Sequence, residues 1–122
     1  PGLAPSVFHY NPYRHRLTPF RSAPEEDVVA CLVDPTIAER SAVVLVLTAM
    51  FWRTRFKYGL RGYRFALLEA GHVMHNIVLT TTALGLAAVP LGGWYDRRVD
   101  ELVGANGLDE AAVYLAAIGG RA

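Results

Sequence analysis

The rhythm of apolar and polar positions changes several times along the chain, and each change predicts an element. Val7-Phe8-His9-Tyr10 and Arg16-Leu17-Thr18-Pro19-Phe20 flank the turn-forming cluster Asn11-Pro12-Tyr13-Arg14-His15, which predicts a β-hairpin with a longer turn. Ser22 then stands where a helix cap would. Pro24-Glu25-Glu26-Asp27 make an acidic first turn, and Val28, Val29, Leu32 and Val33 supply an apolar side. Asp34-Pro35 is read as the end of that helix. Residues 42–49 (AVVLVLTA) are a continuous apolar run rich in β-branched residues, as expected of a strand buried on both faces. From 63 to 84 the pattern is helical and heavily apolar, and Gly85 is a suitable stop. Residues 86–91 predict a short strand, Gly92-Gly93 a turn, 96–103 an amphipathic helix capped by Asp96, and 113–118 a last strand.

Hairpin, helix, buried strand, long buried central helix, strand, helix, strand is an α+β order, with a sheet covered by helices. The 122 residues suit a single domain (1–122), and an apolar content of 52% suffices for one core. Twelve Lys and Arg against eleven Asp and Glu leave a net charge of +1, which argues against a nucleic-acid partner, because tracking phosphates needs a concentrated positive field. Cys31 is the only cysteine, so an intrachain disulfide and a thiolate metal cage are both excluded, and a reduced, cytoplasmic setting is expected. Residues 70–95 carry no Asp, Glu, Lys or Arg. They do hold His72, His75, Asn76, Thr80, Thr81, Thr82 and Pro90, polar or helix-breaking groups that lipid could not satisfy. A buried helix followed by a strand is therefore expected, with no membrane partner and no signal peptide.

Three constellations could carry chemistry. Glu69, His72 and His75 recur every three residues along one side of the central helix. A metal would need further ligands that the chain does not offer, so no metal site is expected and the three read as a buried polar row. Cys31, read as mid-helix with acidic neighbours, is no nucleophile, and no glycine-rich phosphate loop or serine elbow is present. The segment 51–64 is the one local concentration of positive charge, with Arg53, Arg55, Lys57, Arg61 and Arg64 among Trp52, Phe56, Tyr58 and Tyr63. Lys57 beside Tyr58 is either a proton-transfer pair or a surface lysine next to a packed tyrosine. Both reach one substrate only if the segment is a loop, which Gly59 and Gly62 permit. Gly92-Gly93 is either a plain tight turn or a place where backbone approaches a flat ligand without an intervening Cβ.

K-Y-G-L-R-G-Y-R at 57–64, L-L-E-A-G-H-V at 67–73 with Asn76, A-L-G-L at 83–86 and P-L-G-G-W at 90–94 together resemble the SagB-type oxidoreductases of the flavin-dependent nitroreductase superfamily. The F-H-Y-N-P hairpin segment at 8–12, followed by Arg16-Leu17, and the closing strand 113–119 are similar as well, so the resemblance covers nearly the whole chain. It implies a nitroreductase-like sheet and an FMN enzyme that oxidises thiazolines or oxazolines in a modified peptide to thiazoles or oxazoles. It assigns catalysis to Lys57 and Tyr58 and the approach to the flavin ring to Pro90, Leu91, Gly92 and Gly93. Aromatising an azoline removes a proton and a hydride from neighbouring carbons, so a base and a flavin suffice. Arg121, just past the last strand, is the candidate phosphate contact.

The family's usual Q-N is His75-Asn76 here, and its G-G-F is Gly92-Gly93-Trp94. The resemblance also implies that the fold is incomplete in this chain, the phosphate-binding N-terminal half being absent or supplied by a homo- or hetero-oligomeric partner. Two other functions fit this pattern: a non-catalytic subunit docking on a partner enzyme, and a general flavin reductase of nitro compounds or quinones.

Overall fold

The computed structural model describes residues 4–120. A hairpin opens the chain: β1 (Ser6–Asn11) pairs antiparallel with β2 (Arg16–Ser22), Phe8 opposite Pro19 and Tyr10 opposite Leu17. The turn is closed by the Tyr10 hydroxyl and His15 Nδ1, 3.0 Å apart. Ser22 ends the second strand and caps nothing. The first helix, α1 (Glu25–Val29), starts directly after Pro24 without a side-chain cap and stops at Ala30. Asp34-Pro35 begins an element where the sequence predicts an end. Asp34 accepts the backbone N–H of Thr36 at 3.0 Å and its hydroxyl at 2.7 Å, capping α2 (Pro35–Glu39). Proline suits this first helical position because its missing N–H is one the helix leaves unpaired anyway.

The main sheet has the order β3-β5-β4, from β3 (Val43–Met50), β4 (Leu86–Leu91) and β5 (Glu110–Gly120). Both outer strands run antiparallel to β5, with Val46 and Leu91 on either side of Leu115. The central strand is the buried one, Leu115, Ala116 and Ala117 being sealed from solvent. β3 instead is an outer strand whose residues are half-buried or exposed, so its unbroken apolar run does not mark burial on both faces within this chain.

Side chains alternate across a strand, so Leu115 and Ala117 face one layer and Ala116 the other. The first layer is the core: Cys31, Leu32, Ala38, Leu91, Val99, Leu115 and Ala117, joined by Val28, Ile37, Val46 and Trp94. It is roofed by α1, α2 and α5 (Asp96–Val103), the last starting after Tyr95 with Asp96 in its first turn and no side-chain cap.

The long helix α4 (Arg61–Ala83) packs on α3 and on the sheet, burying Gly62, Ala66, Ala70, Met74 and Thr81. Small residues four apart let the helix axis lie close to its neighbours. The remainder of its surface, including Leu67, Leu68, Val73 and Leu79, is exposed, so the helix is central but not buried all round as the sequence predicts. Its threonine run is accommodated locally, the Thr81 and Thr82 hydroxyls donating to the carbonyls of Ile77 and Val78 at 2.8–3.0 Å. Among the described residues, no helix is long and apolar enough to cross a membrane.

Candidate functional site

The basic, aromatic segment is not a loop. It forms α3 (Phe51–Tyr58), a turn at Gly59-Leu60, and the first turn of α4. Phe51 N–H donates to the Asp109 carbonyl at 2.8 Å, fixing where α3 leaves the sheet. Gly59 ends the helix at φ 59°, a left-handed conformation costly for other residues, and its N–H donates to the Arg55 carbonyl at 2.8 Å. The chain then folds back tightly. A Cβ on Gly62 would lie 2.8 Å from the Thr54 carbonyl carbon and 2.9 Å from Arg55 N, so only glycine allows α3 and α4 to cross at this distance.

Lys57 and Tyr58 occupy the last turn of α3, where a cation is favoured by the helix dipole. The Lys57 ammonium lies 5.1 Å from the Tyr58 ring centroid, and Phe65 of α4 meets the same ring edge-on at 5.0 Å. Tyr58 thus contacts both Lys57 and Phe65 while remaining 46% exposed. Lys57 is exposed too.

The second predicted group lies at the end of β4. Pro90 pairs with Ala116 on an outer strand, and Leu91 is buried against Leu115. The bend that follows is clamped by residues 31–33: Val33 N–H donates to the Gly93 carbonyl at 3.1 Å, Leu32 bridges Trp94, and Tyr95 N–H donates to the Cys31 carbonyl at 2.9 Å. Neither Gly92 nor Gly93 has positive φ, so turn geometry does not demand glycine here. A Cβ on Gly93 would make ordinary contact with Val33 at 3.5 Å, and one on Gly92 would meet nothing within 4 Å. Open space thus flanks the Gly92 backbone. The neighbouring Trp94 Nε1 is buried without a hydrogen-bond partner. A planar group could lie against the open side of Gly92, whereas the Trp94 ring packs on the core.

The structure thus joins Lys57 to Tyr58 and Pro90 to Gly93. The two pairs sit on elements that each pack against α4. Two clefts among the described residues are lined by none of Lys57, Tyr58, Pro90, Leu91, Gly92 and Gly93. One, of about 480 Å³, is bounded by Trp52, Arg55, Phe56, Gly59 and Leu60; the other, of about 390 Å³, lies between β3, α3 and the Ala66–Val73 side of α4. Arg121 lies outside the described residues. Glu69, His72 and His75 are exposed instead of forming a buried row, and the described residues include no group of three His, Cys, Asp or Glu placed to hold a metal.

Cys31 sits in the turn after α1 and not in a helix, its thiol 3.2 Å from the Asp27 carbonyl. Burial pushes its pKa up, Arg98 opposes this, and Asp27 adds to it, consistent with an unreactive thiol. Three supporting residues escaped the sequence reading. Asp100 is buried and accepts the Ala112 N–H at 2.7 Å, tying α5 to β5. Gly62 sets the α3–α4 crossing, legible in hindsight from the four-residue spacing of Gly62, Ala66 and Ala70, and Phe65 braces Tyr58.

Comparison with known proteins agrees with this architecture. The chain is 35% identical to MJ1384 of Methanocaldococcus jannaschii, a nitroreductase by name, over 104 residues that are 84% of this chain and 52% of that one. It is 31% identical to the microcin B17-processing protein McbC of Escherichia coli over 77% of this chain and 35% of McbC. It therefore spans about half the length of one relative and about a third of the other. Among solved structures, a nitroreductase-named protein of Anabaena variabilis superposes with a TM-score of 0.87 at 27% identity, covering 95% of this chain and 24% of that one. A chain of the E. coli microcin synthetase McbBCD complex with truncated pro-MccB17 bound gives 0.84 at 24% identity, covering 98% and 46%. The model of the Nitroreductase family matches residues 8–120, and the chain belongs to that family.

Proposed function

We propose that this chain forms part of a SagB-type, FMN-dependent oxidoreductase that converts thiazoline or oxazoline rings of a ribosomally made peptide to thiazoles or oxazoles. The observation that carries the reading is the Lys57–Tyr58 pair, preassembled and exposed at the end of α3, its ammonium 5.1 Å from the ring. The relationship to McbC, a microcin B17-processing protein, supports the peptide as substrate class.

Pro90, Leu91, Gly92 and Gly93 are the residues that would hold the isoalloxazine, on the open side of Gly92, and Arg121 is the candidate for the phosphate. When bound, FMN supplies the acceptor for the hydride equivalent that leaves the azoline. Lys57, as a free amine, takes the proton from the neighbouring ring carbon, and the Tyr58 hydroxyl holds or relays it. The substrate peptide, or an oligomeric partner completing the site, would exclude water from this corner.

Mass spectrometry of an azoline-containing peptide incubated with the flavin-loaded protein tests the assignment. Loss of a hydrogen pair per ring is expected. Lys57→Ala abolishes it while the flavin absorbance of the protein persists. Undiminished azole formation by that variant refutes the role of Lys57. Reduction of nitro compounds or quinones is the second reading, favoured by the 35% identity to MJ1384, and consumption of a reduced nicotinamide in their presence distinguishes it.

A further inference from the structure

The positive charge around α3 exceeds what proton transfer at Lys57 needs. Arg53, Arg55, Lys57, Arg61 and Arg64 occur within residues 53–64, and no acid occurs from 51 to 68. The one ion pair among the described residues is Arg97–Glu101, so none of the five is paired with a described carboxylate. One of them, Arg55, lines a groove. Residues 52, 55, 56 and 59 are spaced i, i+3, i+4, i+7 and so share one side of α3 and its end. Trp52, Arg55, Phe56 and Gly59, with Leu60, line the open groove of about 480 Å³. Its rings are costly to leave in water: Phe56 is 94% exposed and Leu60 86%. The Arg53 guanidinium lies over the Trp52 ring, 5.3 Å from its centroid.

We propose that this groove docks an acidic segment of peptide chain, seating an apolar side chain against Trp52 and Phe56 while a carboxylate pairs with Arg55. The inference rests on the reading above for the source of that peptide, the substrate itself, because Phe56 immediately precedes Lys57 on the same short helix. The chemistry of the lining selects the occupant. One guanidinium among two rings and a leucine matches a side chain flanked by carboxylates, whereas nucleic acid needs successive phosphate contacts along a track. Arg53, Arg61 and Arg64 do not line the groove but lie close to it along the chain, and their charge speeds encounter and fades with salt.

Fluorescence anisotropy with the full protein tests this. The probe is a short fluorescein-labelled peptide in which one leucine lies between aspartates and glutamates, compared with the same peptide carrying asparagine and glutamine. The acidic probe is expected to bind, more weakly as salt rises. Arg55→Glu and Phe56→Ala should each weaken it by about tenfold or more, a difference of about 1.4 kcal/mol. Both side chains are exposed, so unchanged thermal unfolding is expected to exclude misfolding. Lys57→Ala should lose azole formation yet keep most of the probe affinity. Inactive wild-type protein that still binds the acidic probe would sink the enzymatic reading and leave the groove intact. Equal binding of the two probes, or indifference to both groove variants, overturns the docking site. So does capture by phosphatidylserine vesicles with no probe binding, or a dimer that Phe56→Ala dissociates while the probe fails to bind.

Discussion

At the scale of single residues, function depends on a few close approaches. Lys57 and Tyr58 were legible as a pair in the sequence, but not their means of meeting. Adjacent residues point apart on a strand, and the reading therefore required a loop. On the last turn of a helix the flexible lysine stem curls over the neighbouring ring instead, and Phe65 meets that ring edge-on. Gly62 makes that corner possible. Gly62→Ala drives a Cβ into the backbone of Thr54 and Arg55, which cannot yield as a side-chain tip can, and is expected to cost about 1–3 kcal/mol. Urea unfolding measures the loss, and if Lys57 and Tyr58 act as proposed, azole formation should fall with it because α3 carries both. Cys31 provides a pH test. Its folded-state pKa is raised, so the unfolded chain releases the thiol proton first as pH rises through the ordinary cysteine range near about 8.5. Stability conferred by the neutral thiol is complete below that range and declines above it. Denaturation midpoints across this range should slope downward for wild type and less so for Cys31→Ala.

Elements were legible where local chemistry and tertiary demands agree. The residues of β4 and α5 coincide with the sequence expectation, because each is a short pattern bounded by turn-forming or left-handed glycine positions. The expectation failed where one local signal has two meanings. Asp34-Pro35 can close a helix or open one, and the side-chain bonds to Thr36 select opening. The glycines at 59 and 62 were read as flexibility, whereas one terminates α3 and the other permits close packing on α4. The link between α5 and β5 was invisible because Asp100 looks like one more polar residue on an amphipathic helix. Asp100→Ala strands the buried Ala112 N–H and is expected to cost about 1–3 kcal/mol. Hydrogen exchange at the Ala112 amide should accelerate in that variant, while exchange in the β1–β2 hairpin, which lies in a separate sheet, should not.

At the scale of the whole molecule, a three-stranded sheet carries a covered face on one side and, on the other, a helix whose outer surface remains exposed. The sequence alone presented that helix as buried, since apolar content records what a surface eventually meets, including surfaces that meet something outside this chain. The catalytic pair and the glycine bend are likewise spread over different elements packed on α4, and the flavin is what unites them in the proposed function. The most direct test is FMN binding by Gly92→Val, followed by flavin absorbance and fluorescence titration. Within the chain a Cβ at that position touches nothing, so thermal unfolding should not change. If the isoalloxazine lies against this backbone, affinity falls by about tenfold or more, equivalent to about 1.4 kcal/mol. Unaltered FMN affinity in a normally folded Gly92→Val protein would contradict the assignment.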